Sequence, residues 1–258
     1  MMVTAHVEYL DTAARSRAGR SYKRRLLEEL RLEPGHTVAD VGCGPGADIS
    51  SMAALVAPDG QVIGLDADPD MVEVAQRRFS TNSNVDIRLG DAHQLEIAAA
   101  SVDRARTDRI LQHVADPQAV VAQLARIIRP DGLIVMAEPD WDTLIIDDED
   151  LAASRAFCLF MAGQVRNPNI GRRLPRLAAQ AGLTVRQVLV TPIVFDDFSS
   201  AEQILGLRRN TARAIEAGAL DEAQATAWLA RLESGAFFAT FAVIAVTAGI
   251  GSGHDQSA

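Results

Sequence analysis

The stretch Val38-Ala39-Asp40-Val41-Gly42-Cys43-Gly44-Pro45-Gly46 decides the fold. Its first part is β-branched and apolar, which predicts a short buried strand over residues 37–41. The glycines that follow let the backbone turn sharply and let a ligand approach without a Cβ in the way. A helix is predicted next, and its free N–H groups favour a carboxylate or a phosphate. The stretch therefore predicts a ligand-binding turn between a strand and a helix.

Strand and helix patterns alternate on both sides of this turn. This rhythm predicts an α/β fold with a mainly parallel sheet of about seven strands and helices on both faces. Pro130-Asp131-Gly132 is predicted to be a turn. Residues 199–233 are predicted to form two helices with a break near Gly218, and residues 251–258 a disordered tail. The predicted strands are 37–41, 61–65, 85–89, 102–107, 133–137, 183–191 and 237–247.

Composition limits the classes of protein that the chain can represent. It has 258 residues, 48 % hydrophobic and 23 % charged, with a net charge of −9. We expect one large domain over residues 34–258, preceded by a helical cap over residues 1–33. The acidic charge argues against nucleic acid as a partner. The apolar stretches are too short to span a membrane, and two cysteines form no disulfide framework, so we expect a cytoplasmic protein.

Two ligand classes fit the glycine turn. Gly42, Gly44 and Ala47 satisfy the dinucleotide pattern Gly-x-Gly-x-x-Gly/Ala. Asp40 argues against it, because a carboxylate beside a pyrophosphate costs on the order of 1 kcal/mol. The same carboxylate suits a ligand that carries positive charge. Asp66, which ends the second predicted strand, is suited to accept ribose hydroxyls or to cap the helix that begins near Pro69.

Asp40-x-Gly42-x-Gly44-x-Gly46 resembles the first motif of class I S-adenosylmethionine-dependent methyltransferases. The similarity covers about residues 30–137 well and is nearest to small-molecule methyltransferases related to the ubiquinone/menaquinone group. It implies a Rossmann-like domain, S-adenosylmethionine as cofactor and S-adenosylhomocysteine as product. It also implies a small-molecule acceptor, in secondary metabolism or quinone-like biosynthesis, and a monomer or homodimer. A relative that binds the cofactor but catalyses cyclisation or another non-methylating reaction is the alternative.

The resemblance also implies which residues bind the cofactor. Ala67 and Met71 would flank the adenine, the turn Gly90-Asp91-Ala92 would meet its edge, and Thr107 and Asp108 would meet the methionine end. The full implied set is Asp40, Gly42, Cys43, Gly44, Gly46, Asp66, Ala67, Met71, Gly90, Asp91, Ala92, Thr107 and Asp108.

His113 is the candidate general base, because histidine titrates nearest neutrality. A structural histidine that holds a loop by hydrogen bonds is the alternative. Some relatives bind a metal here through Glu-x-x-Glu-His, but this chain has Arg109, Gln112 and His113 at those positions. Both carboxylates are missing, so we expect no metal.

Two segments, residues 142–171 and 199–233, are expected to cover the acceptor. Arg166 and Arg208 lie in these segments and are candidates to bind a carboxylate or polar acceptor; solvated helix faces with salt bridges are the alternative. Trp141 follows the strand that precedes the first cover. It is interpreted as either a pocket wall or a core anchor.

Overall fold

A computed structural model describes residues 7, 8, 10–12, 14 and 17–251. Their strands form one seven-stranded sheet in the order β3-β2-β1-β4-β5-β7-β6. The first five strands of that order pair in parallel, and β7 is antiparallel to both of its neighbours. The predicted mostly parallel sheet is therefore confirmed. The strands are β1 (Thr37–Val41), β2 (Gln61–Asp66), β3 (Val85–Leu89), β4 (Val102–Asp108), β5 (Ile128–Ile146), β6 (Leu183–Phe195) and β7 (Ala239–Ile250).

Helices cover both faces of the sheet. Several begin at an aspartate whose side chain accepts a hydrogen bond from the first turn, as Asp68 and Asp116 do, each followed by proline. The helices within residues 17–251 are α1 (Arg17–Leu30), α2 (Ile49–Val56), α3 (Pro69–Arg78), α4 (Pro117–Ile127), α5 (Leu151–Gly163), α6 (Ile170–Gln180), α7 (Phe198–Leu205), α8 (Leu207–Glu216) and α9 (Glu222–Ser234). None of the described helices is both long enough and apolar enough to cross a membrane.

The sheet separates two hydrophobic clusters. One contains Leu30, Ile49 and Trp228, from helices α1, α2 and α9. The other contains Leu124 and Leu174, from α4 and α6. Because a parallel sheet is buried on both faces, its strands read as apolar runs, and this is why β1 and β2 were predicted from sequence.

Two predicted elements differ from the structure. The turn predicted at residues 130–132 lies within β5. The pairing of β4 with β5 is irregular at this place, because its register shifts between Val102 and Arg104 of β4. Residues 199–233 form parts of three helices and not two, because Gly206 (φ +58°) introduces a left-handed break before Leu207. The predicted tail at 252–258 and part of the predicted cap at 1–33 lie outside the described residues.

Candidate functional site

The turn formed by Gly42, Gly44 and Gly46 has a backbone conformation that residues with a side chain adopt less readily. Gly42, Gly44 and Gly46 have φ values of +78°, +54° and +83°. This is the left-handed region, which glycine adopts most readily. A Cβ at Gly42 would also overlap the side chain of Ile110. Both observations explain the spacing of the glycines, which leaves an open backbone at the carboxyl end of β1.

Asp66 lies beside this turn at the end of β2. Its Oδ2 accepts a hydrogen bond from the Gly44 N–H at 2.7 Å, and its Oδ1 accepts one from the Asp68 N–H at 3.0 Å. The cap of α3 is Asp68, whose Oδ1 accepts the N–H of Asp70. Since the capping role belongs to Asp68, the interpretation of Asp66 as the helix cap is wrong.

A cavity of about 580 Å³ opens where β1, β2 and β4 end. Parallel α/β sheets bind ligands at this edge. It brings together most of the cofactor-binding residues implied by the resemblance, with His113 and Trp141: Asp40, Gly42, Cys43, Gly44, Asp66, Met71, Asp108, His113 and Trp141. The remaining predicted site residues do not belong to its described lining: Gly46, Ala67, Gly90, Asp91, Ala92, Thr107, Arg166 and Arg208.

A buried cluster of charges forms the floor of this cavity. The Lys23 ammonium lies 2.5 Å from Asp48 Oδ2 and 3.0 Å from Asp108 Oδ2. The Arg106 guanidinium contacts the same two carboxylates, at 2.5 and 3.1 Å, and its Nε lies 3.6 Å from Asp40 Oδ1. Arg106 Nε and Nη1 have no hydrogen-bond partner within the described structure. The floor therefore combines carboxylates with a guanidinium whose Nη1 has no partner in the described structure.

Burial and neighbouring charges separate the pKa values of the three aspartates. Burial raises the pKa of Asp40 to about 6, although Arg106 opposes the shift. Burial also acts on Asp48 and Asp108, but Arg106 and Lys23 outweigh it, so the pKa of each lies below its usual range. Asp40 is therefore the member of the cluster that changes its protonation closest to neutral pH.

The two cations of the floor were not predicted from the sequence. Lys23 is the single lysine of the chain, and Arg106 is a buried charged residue within β4. Charged residues are rarely buried unless they are paired, so Arg106 within β4 was a usable signal. Lys23 pairs with Asp48 and Asp108, which lie 25 and 85 positions further along the chain, so no local sequence pattern indicated these ion pairs.

Trp141 is a wall of the cavity and is anchored from behind. Its Nε1 donates to Gln112 Oε1 at 2.9 Å, and its ring stacks on Phe241 with centroids 5.0 Å apart. Phe241 also lies 6.2 Å from the ring of Phe195. The two interpretations of Trp141 are therefore both correct: one face lines the cavity, while the ring is held against the core.

Glu138 positions the loop that carries His113. Its Oε1 accepts the N–H groups of Ile110 and Leu111 at 2.7 and 2.6 Å, and its Oε2 accepts the N–H of Gln112 at 3.3 Å. Burial raises the pKa of Glu138 to about 8, although these N–H groups oppose the shift. The loop between β4 and α4 therefore depends on a residue near the middle of β5.

Three of the other predicted site residues, Asp91, Arg166 and Arg208, lie outside the described lining of the cavity. Asp91 Oδ1 accepts the backbone N–H of His93 at 2.9 Å and lies 2.6 Å from its ring Nδ1. Arg208 Nε donates to Glu233, and its guanidinium lies 4.7 Å from the ring centroid of Phe198. Arg166 is exposed. Neither arginine belongs to the described lining of the cavity, so contact of either with an acceptor stays a prediction.

Metal ligands are not gathered at this site. Within the described ranges, no three histidine, cysteine or acidic residues are close enough to hold an ion. The Cys43 thiol is buried, and burial raises its pKa, so it stays protonated.

Comparison with known proteins agrees with this geometry. A family model described as a methyltransferase domain matches residues 32–182, more than half of the chain. An uncharacterized 37.1 kDa protein in a transposon of Streptomyces fradiae is 47 % identical over 247 residues, 95 % of this chain and 72 % of that protein. Nocamycin O-methyltransferase from Saccharothrix syringae is 38 % identical over 125 residues, 46 % of this chain and 44 % of that protein.

A solved structure shows the same fold. Phosphoethanolamine N-methyltransferase 2 from Haemonchus contortus, in complex with S-adenosylmethionine, superimposes with a TM-score of 0.56 at 17 % identity. The match covers 90 % of this chain and 52 % of that one. From the matched domain, the glycine turn and the cavity that it borders, we conclude that this chain belongs to the class I S-adenosylmethionine-dependent methyltransferases.

Proposed function

We propose that this enzyme transfers the methyl group of S-adenosylmethionine to a small-molecule acceptor bound in the same cavity. The observation that carries the proposal is the division of the cavity lining. The part formed by β1, β2, β4 and α1 holds the charged residues and the glycine turn, whereas the part formed by β5, β6 and β7 is apolar. A single cavity therefore offers two chemically different parts for two different reactants.

The charged part of the cavity fits the cofactor. We assign Asp66 to the ribose hydroxyls and Met71 to the adenine, and we assign the ammonium of the methionine end to Asp40 and Asp108. The Nη1 donor of Arg106, which has no partner in the described structure, suits the methionine carboxylate. The pairing of the adenine edge with Gly90, Asp91, Ala92 and Ala67 stays a prediction.

The cofactor supplies an electrophilic methyl group on a sulfonium, which is an activated leaving group. The protein's own contribution is to position the acceptor and to exclude water. His113 would take the proton of an acceptor that keeps it at neutral pH. Glu138 and Gln112 fix the loop on which His113 lies.

A small-molecule acceptor also fits the charge of the chain. A net charge of −9 opposes binding to nucleic acid. We propose a cytoplasmic, metal-independent enzyme that acts as a monomer or homodimer.

Two measurements on the purified protein test this function. Calorimetry should detect S-adenosylmethionine binding. Incubation with methyl-labelled cofactor and a deproteinised small-molecule extract should move label into molecules that organic solvent extracts. Label recovered in added protein or nucleic acid would contradict the proposal. Binding without any transfer would favour the alternative, a cofactor-binding protein that catalyses cyclisation or another non-methylating reaction.

A further inference from the structure

The part of the cavity formed by β5, β6, β7 and α7, here called the apolar half, is lined by apolar side chains. Its described lining from β5, β6, β7 and α7 consists of Pro139, Trp141, Ile193, Phe195, Ile204, Phe241 and Val243, and Val165 adds a further apolar side chain after α5. No charged or hydrogen-bonding side-chain atom of these elements reaches that part of the described lining, apart from the indole N–H of Trp141. That N–H already donates to Gln112.

Charged residues on β5 and on the neighbouring helices α6 and α8 are paired with one another or with backbone groups. Arg172 makes a two-point contact with the buried carboxylate of Asp140 and also lies 3.4 Å from Asp142. Glu138 accepts backbone N–H groups. Arg208 pairs with Glu233. The strands β5, β6 and β7 and helix α7 add no cation to the described lining, so a carboxylate or phosphate held against them would lose hydration without compensation.

Aromatic rings shape this half of the cavity. Trp141 and Phe241 stack with an interplanar angle of 24°, and the ring of Phe195 lies 6.2 Å from that of Phe241, tilted by 33°. Flat faces of this kind favour a planar ligand by stacking as well as by burial of apolar area. His113 is one of the polar residues, with Arg109 and Gln112, that the loop after β4 adds to the same lining.

We infer that the acceptor is an uncharged, predominantly apolar molecule with a planar ring, whose methyl-accepting atom lies on the side of His113. This inference rests on the proposed methyl transfer and specifies its substrate class. It replaces the sequence-based expectation that Arg166 and Arg208 hold a carboxylate or polar acceptor, since neither belongs to the described lining.

A matched pair of probes tests the substrate class. 2-Naphthol is neutral at pH 7 and carries one hydroxyl, and 6-hydroxy-2-naphthoate adds a carboxylate at the far end of the ring. Calorimetry on the protein saturated with S-adenosylhomocysteine should give at least about tenfold tighter binding of naphthol. Phe241→Ala should weaken naphthol about tenfold and leave S-adenosylhomocysteine affinity unchanged, with the melting temperature as the check on folding.

A charge introduced into the lining gives a second test. Val165→Arg places a cation at the partly exposed rim of the apolar half and should shift preference towards the naphthoate. Leu159→Arg is the control, because Leu159 lies on α5, is 73 % exposed and is not a lining residue. It should leave the preference unchanged.

The outcomes separate the two proposals. Failure of S-adenosylhomocysteine to bind would contradict the proposed function. If it binds, then absent naphthol binding, equal or tighter binding of the naphthoate, or equal effects of Val165→Arg and Leu159→Arg would each overturn the inferred acceptor class alone.

Discussion

The buried carboxyl group of Glu138 accepts the backbone N–H of Leu111 at 2.6 Å, across 27 positions of sequence. Two more N–H groups of the same loop, those of Ile110 and Gln112, point to this side chain. This hydrogen bond joins the middle of β5 to the loop that presents His113. It makes the geometry of the acceptor side depend on the protonation of one fully buried acid.

Stability should therefore depend on pH through Glu138. Burial raises its pKa from 4.5 to about 8, so the folded protein prefers the protonated form. The stability that this group contributes is fully present below about pH 4.5 and is lost as pH rises towards 8. Glu138→Gln mimics the neutral form and should flatten this part of the profile. Denaturant unfolding between pH 5 and 9 measures it, and an unchanged slope in the variant would contradict the account.

Removal of the Glu138 side-chain carboxyl group should lower the free energy of unfolding more than Glu138→Gln does. Glu138→Ala leaves three loop N–H groups without their partner, so we expect a loss of about 3 kcal/mol or more at pH 6. Chemical denaturation of both variants at that pH provides the comparison. A loss below about 1 kcal/mol would mean that the loop does not depend on Glu138.

The fold was largely predictable because its determinants are local. Glycines at 42, 44 and 46 and the acid at Asp66 lie next to strands whose apolar runs are plain in the sequence. The ion pairs of Lys23 and Arg106 with Asp48 were not predictable, since these residues meet only through tertiary packing. The break at Gly206 was missed because a single glycine within a helical pattern does not by itself reveal a left-handed conformation.

Asp66→Asn should weaken S-adenosylmethionine binding by about 1–3 kcal/mol, because an amide accepts ribose hydroxyls less strongly than a carboxylate does. Asp59→Asn is the matched control, since Asp59 is exposed in a turn and is not a lining residue. Calorimetry on both variants measures the difference. Equal affinities in the two folded variants would remove Asp66 from cofactor binding.

Cofactor affinity should rise with pH because of Asp40. Its pKa of about 6 in the free protein means that it is mainly protonated at pH 5, and a cationic ligand favours the ionised form. Affinity for S-adenosylmethionine should therefore increase about tenfold from pH 5 to pH 7.5. Asp40→Asn should bind more weakly at pH 7.5 and lose this dependence. An equally steep profile in that variant would assign the titration to another group.

His113→Gln and His113→Ala should slow the chemical step about 10²–10⁴-fold if His113 is the general base, with little change in cofactor affinity. The rate of the native enzyme should rise with pH over the range in which an imidazole loses its proton. Single-turnover kinetics against pH measures both effects. Near-native rates in the two variants would leave positioning as the protein's main contribution.

The crystal structure of the complex with S-adenosylhomocysteine tests the central claim most directly, namely that one cavity holds cofactor and acceptor side by side. We predict the ribose at Asp66, the amino-acid end at Asp40, Arg106 and Asp108, and the sulfur facing the space between His113 and Trp141. Electron density for the product outside this cavity, for example in the groove that Arg20, Ser51 and Arg78 line, would contradict the account. So would a sulfur atom directed away from the aromatic wall.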